Sequence, residues 1–250
     1  MGWIAERAAM DDRRVTASRT VLASPAELDA AYEELLRPSF PPVELDSRDA
    51  LVAGLRAGRT RAFVTYVGEE QAAIAVTHTE RRRDVALLSY LAVGEAWRGT
   101  GVGGTLLEDV IADVAGSSSP ALLLAEIEHP LKPPEAASWG DPRRRFGFYA
   151  RHGARVVDLP YFQPMLHRGG SRVRGMLLLA LHADGRLLTP DGRLQHSPLV
   201  DFLAAYLEHA EGAAPTDAEA TALLELAGDP RGVRLLDMVG RDGYRFPAQR

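Results

Sequence analysis

The chain of 250 residues contains no cysteine. Disulfides, thiolate metal sites and a cysteine-bound covalent intermediate are therefore excluded. No apolar run approaches the roughly 18 residues that span a bilayer, and residues 1–7, Met-Gly-Trp-Ile-Ala-Glu-Arg, lack the apolar core of a signal peptide. The expectation is a cytoplasmic protein with no membrane partner. Positive charge is not in excess: 29 Lys+Arg against 34 Asp+Glu give a formal net charge of −5, which argues against a strongly basic nucleic-acid binder. The basic runs Arg81-Arg82-Arg83 and Arg143-Arg144-Arg145 read as solvated rims. The seven histidines form no H-x-x-x-H or H-E-x-x-H arrangement, so no metal site is expected, although His129 is a candidate proton relay against a plainer reading as a solvated loop histidine. Ser117-Ser118-Ser119 lacks the G-x-S-x-G context of a serine hydrolase. No Walker Gly-Lys-Ser/Thr and no internal repeat occur. With 46% hydrophobic and 25% charged residues, the chain can bury a full core, as one large domain or a domain with an appendage.

The most informative stretch is residues 89–107, where an apolar strand runs into a glycine-rich turn that opens a helix. Such a turn leaves unpaired backbone N–H groups converging on one spot, where the helix dipole also favours an anion. Gly99-x-Gly101-x-x-Gly104 satisfies the dinucleotide pattern as well. In that fold, however, the first glycine follows the strand almost directly, and an acid about 20 positions later holds the ribose. Here Gly94 to Arg98 intervene, and the next acids ending a strand, Glu126 and Glu128, lie further on.

Arg98-Gly99-Thr100-Gly101-Val102-Gly103 instead resembles the coenzyme A signature Arg/Gln-x-x-Gly-x-Gly/Ala of the GNAT (general N-acetyltransferase) acyltransferase superfamily. The resemblance extends to the strand order before the turn and to Phe148-Tyr149-x-x-x-Gly153-Ala154 after it, over residues 15–183. It implies an α/β (α+β) GNAT fold, a mixed and mostly antiparallel central sheet flanked by helices. It also implies acetyl-CoA or coenzyme A as co-substrate. The turn residues Arg98, Gly99, Thr100, Gly101, Val102, Gly103, Gly104 and Thr105 would hold the pyrophosphate, and the backbone of Leu91, Ala92 and Val93 would pair with the pantetheine arm. A tight turn with no ligand is the plainer alternative, but such a turn would rarely need so many glycines, each costing backbone entropy.

Before the turn, residues 15–22 alternate as a first strand. Ser24-Pro25-Ala26-Glu27 then supplies an N-cap, a proline at the first helical position and a capping-box glutamate. Pro38 to Pro42 ends that helix, and a second one carrying Leu51, Val52 and Leu55 runs to Gly58. Strands at 61–67, 71–80 and 85–93 form an antiparallel meander. After the turn, a helix presents Leu106, Leu107, Val110, Ile111 and Val114 on one face, and residues 121–128 read as a buried strand returned parallel by that crossover. Four prolines and Gly140 make residues 129–145 an irregular excursion. Many members of the superfamily place an asparagine there; this chain has no counterpart, which points to a specialised acceptor side. A short helix over 146–152 follows, then strands at 154–159 and 173–182, joined by a loop that would expose Tyr161 and Phe162 near the pocket. Residues 184–250 change to a helical pattern, with Ser197-Pro198 opening one helix and Thr216-x-x-Glu219 capping another. The organisation expected is an acyltransferase domain at 1–183 and a helical C-terminal extension at 184–250, packing on the core, closing the cleft or mediating a homodimer.

Acyl transfer to an amine requires a neutral amine and a proton for the leaving thiolate. An alkyl ammonium, with a pKa of about 10, must first lose a proton. Glu126 and Glu128, two apart on one strand, share a face and are candidates for the base and an ammonium anchor. Glu128 reads equally well as a solvated strand end, whereas Glu126 lies deeper in the apolar run, where burial raises a carboxyl pKa towards neutrality. Asp84 competes, though its turn position suits the surface. Tyr149 occupies the place where many GNAT enzymes keep a tyrosine that protonates the coenzyme A thiolate; a buried core tyrosine is the alternative. The reading is an acyl-CoA-dependent N-acyltransferase, with no cysteinyl intermediate, acting on a primary amine of a small molecule or of a protein or peptide. Its rivals are a non-catalytic acyl-CoA-binding module of the same fold and transfer to a hydroxyl.

Overall fold

The computed structural model describes residues 18–42, 44–80, 84–131, 140–165, 170–212, 214 and 216–238. Residues 15–17 of the expected first strand, the run Arg81–Arg83 and the middle of the proline-rich excursion lie outside the described residues.

The sequence signals place most elements. Strand β1 (Ser18–Leu22) leads to α1 (Pro25–Ala31), which continues as a π-helical turn, Tyr32–Leu36. The capping box forms as expected: the Ser24 side chain accepts from the Glu27 N–H while Glu27 accepts from the Ser24 N–H. Helix α2 (Arg48–Arg56) precedes the meander of β2 (Thr60–Val67), β3 (Glu70–Thr79) and β4 (Val85–Val93). Beyond the glycine turn come α3 (Val102–Ala115), β5 (Leu122–Glu128), α4 (Pro142–Arg151), β6 (Arg155–Val157) and β7 (Met176–Ala183). The chain then adds α5 (His196–Glu211), α6 (Ala218–Ala227) and β8 (Leu235–Asp237).

Eight strands form one sheet in the order β1-β2-β3-β4-β5-β7-β6-β8. Among the described residues only β4 and β5 run parallel, because α3 carries the chain back over one face between them. On that face α3 and α4 bury Leu106, Leu107, Val110 and Tyr149 against Leu123, Ala125 and Ile127 of β5. The opposite face is covered in two parts. Helices α1 and α2 set Leu28, Leu36 and Leu51 on Val64, Ile74 and Val76, while α5 and α6 set Leu199, Phe202, Leu203 and Leu223 on Leu122, Leu124 and Leu178. Full burial of each such leucine is worth about 1.5–3 kcal/mol, so each helix is held by its apolar stripe more than by its own propensity.

Four expectations are corrected. Helix α4 starts at Pro142, ahead of 146, because Asp141 accepts from the Arg143 N–H at 2.9 Å and Pro142 fills the first turn. The cap of α6 is Asp217, one residue past Thr216, with its Oδ1 accepting from the Ala220 N–H at 3.0 Å. Tyr161 and Phe162, expected at the surface, are buried at 6% and 2% exposure because the segment folds under α5 and α6. The segment after 184 also contributes β8, an edge strand paired with β6, so it is not helical throughout.

Candidate active site

Strands β4 and β5 pair only from Val85↔Leu122 to Leu88↔Ala125, and beyond that point they diverge. A strand edge that loses its neighbour leaves backbone groups unpaired, and at β4 their direction can be read. The Gly94 N–H donates to Ala72 of β3, so by alternation Ala92 also turns its backbone groups to β3, while Leu91 and Val93 turn theirs into the gap. A cavity of about 320 Å³ opens there, lined among others by Leu91, Val93, Arg98, Glu126, Glu128 and Tyr149.

The glycine turn lies at the end of β4. Gly99 and Gly101 have φ of 80° and 95°, a region that L side chains rarely enter. Gly101 is the N-cap of α3 with no side chain to cap it. The amides are not equivalent. Those of Thr100, Gly104 and Thr105 donate within the turn, whereas those of Gly99, Gly101, Val102 and Gly103 have no backbone acceptor among the described residues. Four unpaired N–H groups at a helix N-terminus form a cradle for an anion. The Thr100 hydroxyl is tied to the Trp97 carbonyl at 2.7 Å, and Arg98 Nε donates to the Val93 carbonyl at 3.2 Å, which lays its guanidinium along the cavity. Gly103 allows α3 to approach β4, since a Cβ there would sit 2.8 Å from Val93 Cγ2.

Glu126 and Glu128 share the sheet face of Leu122 and Leu124, as their spacing requires. Their partners differ. Glu126 is partly buried and held by three donors: the Tyr161 hydroxyl in a short contact, Gln163 Nε2 at 3.0 Å and the Tyr206 hydroxyl at 3.4 Å. Burial pushes its carboxyl up from the usual carboxylate range, against the lowering effect of those hydrogen bonds. Glu128 is ion-paired with Arg145 of α4, one of the arginines read as a solvated rim. Glu44 also lines the cavity, its carboxyl raised by burial and partly offset by Arg145.

Tyr149 reaches the cavity from the other face of the sheet, on α4 one turn after Arg145. It is 7% exposed, and burial pushes its phenol up to about 12 in spite of nearby Arg145. No hydrogen-bond partner holds its hydroxyl among the described residues. Tyr149 and Glu126 thus stand on opposite faces and meet only where β4 and β5 part. Asp84 is exposed at the far end of β4, away from this gap. His129, expected in solvent, is buried at 7% exposure, with Nδ1 accepting from the Leu131 N–H. In sequence, Tyr161 is placed near the pocket by its loop, but its hold on Glu126, like that of Tyr206 and Gln163, carries no local signal, because each of these contacts joins residues more than 30 positions apart.

No protein-family sequence model matches the chain, and no match is found among curated proteins. Solved structures do match. One from Bacteroides thetaiotaomicron, assigned to acetyltransferases of the GNAT family, superposes with a TM-score of 0.52 at 22% identity, over 66% of this chain and 87% of that one. Another, from Salmonella typhimurium and assigned as an acetyltransferase with its cofactor acetyl-CoA, gives a TM-score of 0.50 at 16% identity, over 68% and 96%. With its meander, its single parallel β4–β5 pair and the glycine turn between them, this chain has the GNAT acetyltransferase fold.

Proposed function

We propose that this protein is an N-acyltransferase of the GNAT superfamily that moves an acyl group, most simply acetyl, from its coenzyme A thioester directly to a primary amine. The observation that carries this reading is the parting of β4 from β5, which brings a strand edge without a neighbouring strand, a tyrosine and a carboxylate onto one cavity, with Arg98 of the glycine turn on its lining. The residues suit the co-substrate. The amides of Gly99, Gly101, Val102 and Gly103 would take a pyrophosphate, with Arg98 beside them, and the groups of Leu91 and Val93 would pair with a pantetheine amide. Bound there, acetyl-CoA supplies the activated acyl carbon.

The chain's own residues supply the rest. Glu126, with its raised pKa, accepts a proton from the acceptor ammonium, directly or through water, and frees the nitrogen lone pair to attack the acyl carbon. As the C–N bond forms and the C–S bond breaks, Tyr149 gives its proton to the departing sulfur, whose thiol pKa of about 8.5 needs only a modest donor, and the proton that the nitrogen sheds in becoming an amide returns through water to restore the phenol. Glu128, already paired with Arg145, and Glu44 make the acceptor side anionic on balance, which suits a cationic amine of a small molecule or a peptide. With no cysteine in the chain, no thioester to the protein can form. The described part of the segment after residue 184 acts in this reading as an extension packed on the acyltransferase domain, with Tyr206 bracing Glu126.

An amine panel incubated with acetyl-CoA and followed by mass spectrometry and thiol release tests the proposal. One coenzyme A released per amide formed is expected. Saturable acetyl-CoA binding without thiol release on any amine would assign the protein as a binding module instead.

A further inference from the structure

Towards the start of β4, just before the stretch that lines the cavity, three side chains from two distant parts of the chain converge. His78 near the end of β3 and Glu80 just beyond it lie two residues apart, hence on one face, and His209 reaches them from the last turn of α5. His78 pairs in register with Leu87, at the start of β4, whereas the cavity lies along Leu88 to Val93. One ligand atom from each of the three residues falls within 4.8 Å of the others.

We propose that His78, Glu80 and His209 form a divalent metal site, with zinc the cation that fits best. The argument is geometric. Glu80 Oε1 is 3.3 Å from His78 Nε2 and 3.7 Å from His209 Nδ1. Charge-assisted N–H···O bonds draw in to about 2.7–2.9 Å, so both separations are long for hydrogen bonds. They are close to what a shared cation requires: with bonds of about 2.0–2.1 Å, the edge of a tetrahedral zinc polyhedron is about 3.3 Å. The rings also stand edge to face, with centroids 6.0 Å apart and planes at 87°, so the two imidazoles do not stack against each other.

The donor set agrees. Two imidazole nitrogens and one carboxylate oxygen are ligands for a borderline-soft cation, and three protein ligands leave a fourth position for water. Glu80 is only 9% exposed, and among the described residues the ion-pair partners of its carboxylate are these two imidazoles, with no arginine or lysine. A nearly buried carboxylate facing two imidazoles is stabilised by a cation held among them. A metal at this point would staple α5 to β3, tying the C-terminal helices to the strand meander. The spacing of histidines along the chain cannot reveal this cluster, because His209 joins it only through the docking of α5.

The test uses the full-length protein, stripped with a chelator and titrated with cobalt(II) and then zinc. One cobalt per chain is expected, with the strong visible absorption of a four-coordinate ion, free of thiolate charge transfer because the chain has no cysteine, and zinc should displace it. His209→Ala, at a side chain 63% exposed, should leave folding intact and weaken binding by more than the roughly 10–100-fold that loss of an outer-shell partner costs. Glu80→Gln should act in the same direction. Zinc should raise the melting temperature of the wild type and leave that of His209→Ala unchanged. Failure to saturate at one metal per chain, or full-affinity binding by His209→Ala, would overturn the proposal.

Discussion

Tyr149 and Glu126 divide the proton work, and each can be probed by a change that alters little else. The Tyr149 hydroxyl is held by no described residue, while its ring packs in the core, so Tyr149→Phe keeps the packing and removes only the donor. Turnover should fall by roughly 10²-fold with acetyl-CoA affinity within about 2-fold of wild type, the pattern of a group that acts mainly in the transition state. Steady-state rates beside calorimetric affinity decide it; parallel loss of both would make the ring a packing element alone. For Glu126 the sign of the pKa shift matters. Burial raises the folded pKa above the unfolded value of about 4.3, so the neutral carboxyl is the form that folding tolerates. Its contribution to stability is complete below that unfolded pKa and is lost as pH rises through the folded one. Glu126→Gln should therefore gain melting temperature over wild type at pH 8 and show no such gain at pH 4. Activity runs the other way, rising with pH as the base deprotonates, and this limb should vanish in Glu126→Gln. An unchanged pH–rate profile would remove Glu126 from the base role.

The strand, turn and helix that run from β4 into α3 show which features sequence can and cannot reveal. Gly101 and Gly103 are needed for different reasons. Gly101 sits at φ 95° in open space, so a side chain there meets strain of about 1–2 kcal/mol and no clash. Gly103 has no such angle, but a Cβ would meet Val93 Cγ2 at 2.8 Å and push α3 away from β4. Gly103→Ala is thus expected to weaken acetyl-CoA binding by about 10-fold or more through displacement of the amide cradle, and Gly101→Ala to cost mainly melting temperature. Titration calorimetry on both variants checks this, and undiminished affinity in Gly103→Ala would refute the assignment of the cradle. This unit was legible because everything that defines it is local: an apolar run, glycines in series and an amphipathic helix within about 30 residues. The capping box at Ser24 and the parallel return of β5 were legible for the same reason. Of the run Arg143–Arg145, the first two are exposed as charge alone suggests, whereas Arg145 departs from that reading because the Asp141 cap draws the run into α4 and sets Arg145 on Glu128.

How the C-terminal helices join the rest of the molecule depends on contacts that no local pattern encodes. Arg172, before β7, donates to both carboxylate oxygens of Glu211 at the end of α5 and of Asp217 at the start of α6, each at 2.7 Å, and its guanidinium covers the Phe162 ring at 4.5 Å. Phe162 follows Tyr161, which holds Glu126, so one side chain clasps two helices to the segment that braces the candidate base. The Arg172 side chain is only 14% exposed, and removal of one partner from such a network leaves charges uncompensated. Arg172→Ala should cost about 2–4 kcal/mol, a fall of roughly 5–15 °C in melting temperature for a chain of this size. The pH dependence separates this electrostatic role from lost packing. Arg172 holds the carboxyls of Glu211 and Asp217 below their usual range, so their contribution is present above the unfolded values of about 4 and lost as pH falls through the folded ones. The gap in melting temperature between wild type and Arg172→Ala should therefore be wide at pH 7 and narrow towards pH 3. A gap independent of pH would show that Arg172 acts through its contact with Phe162 and not through the two acids.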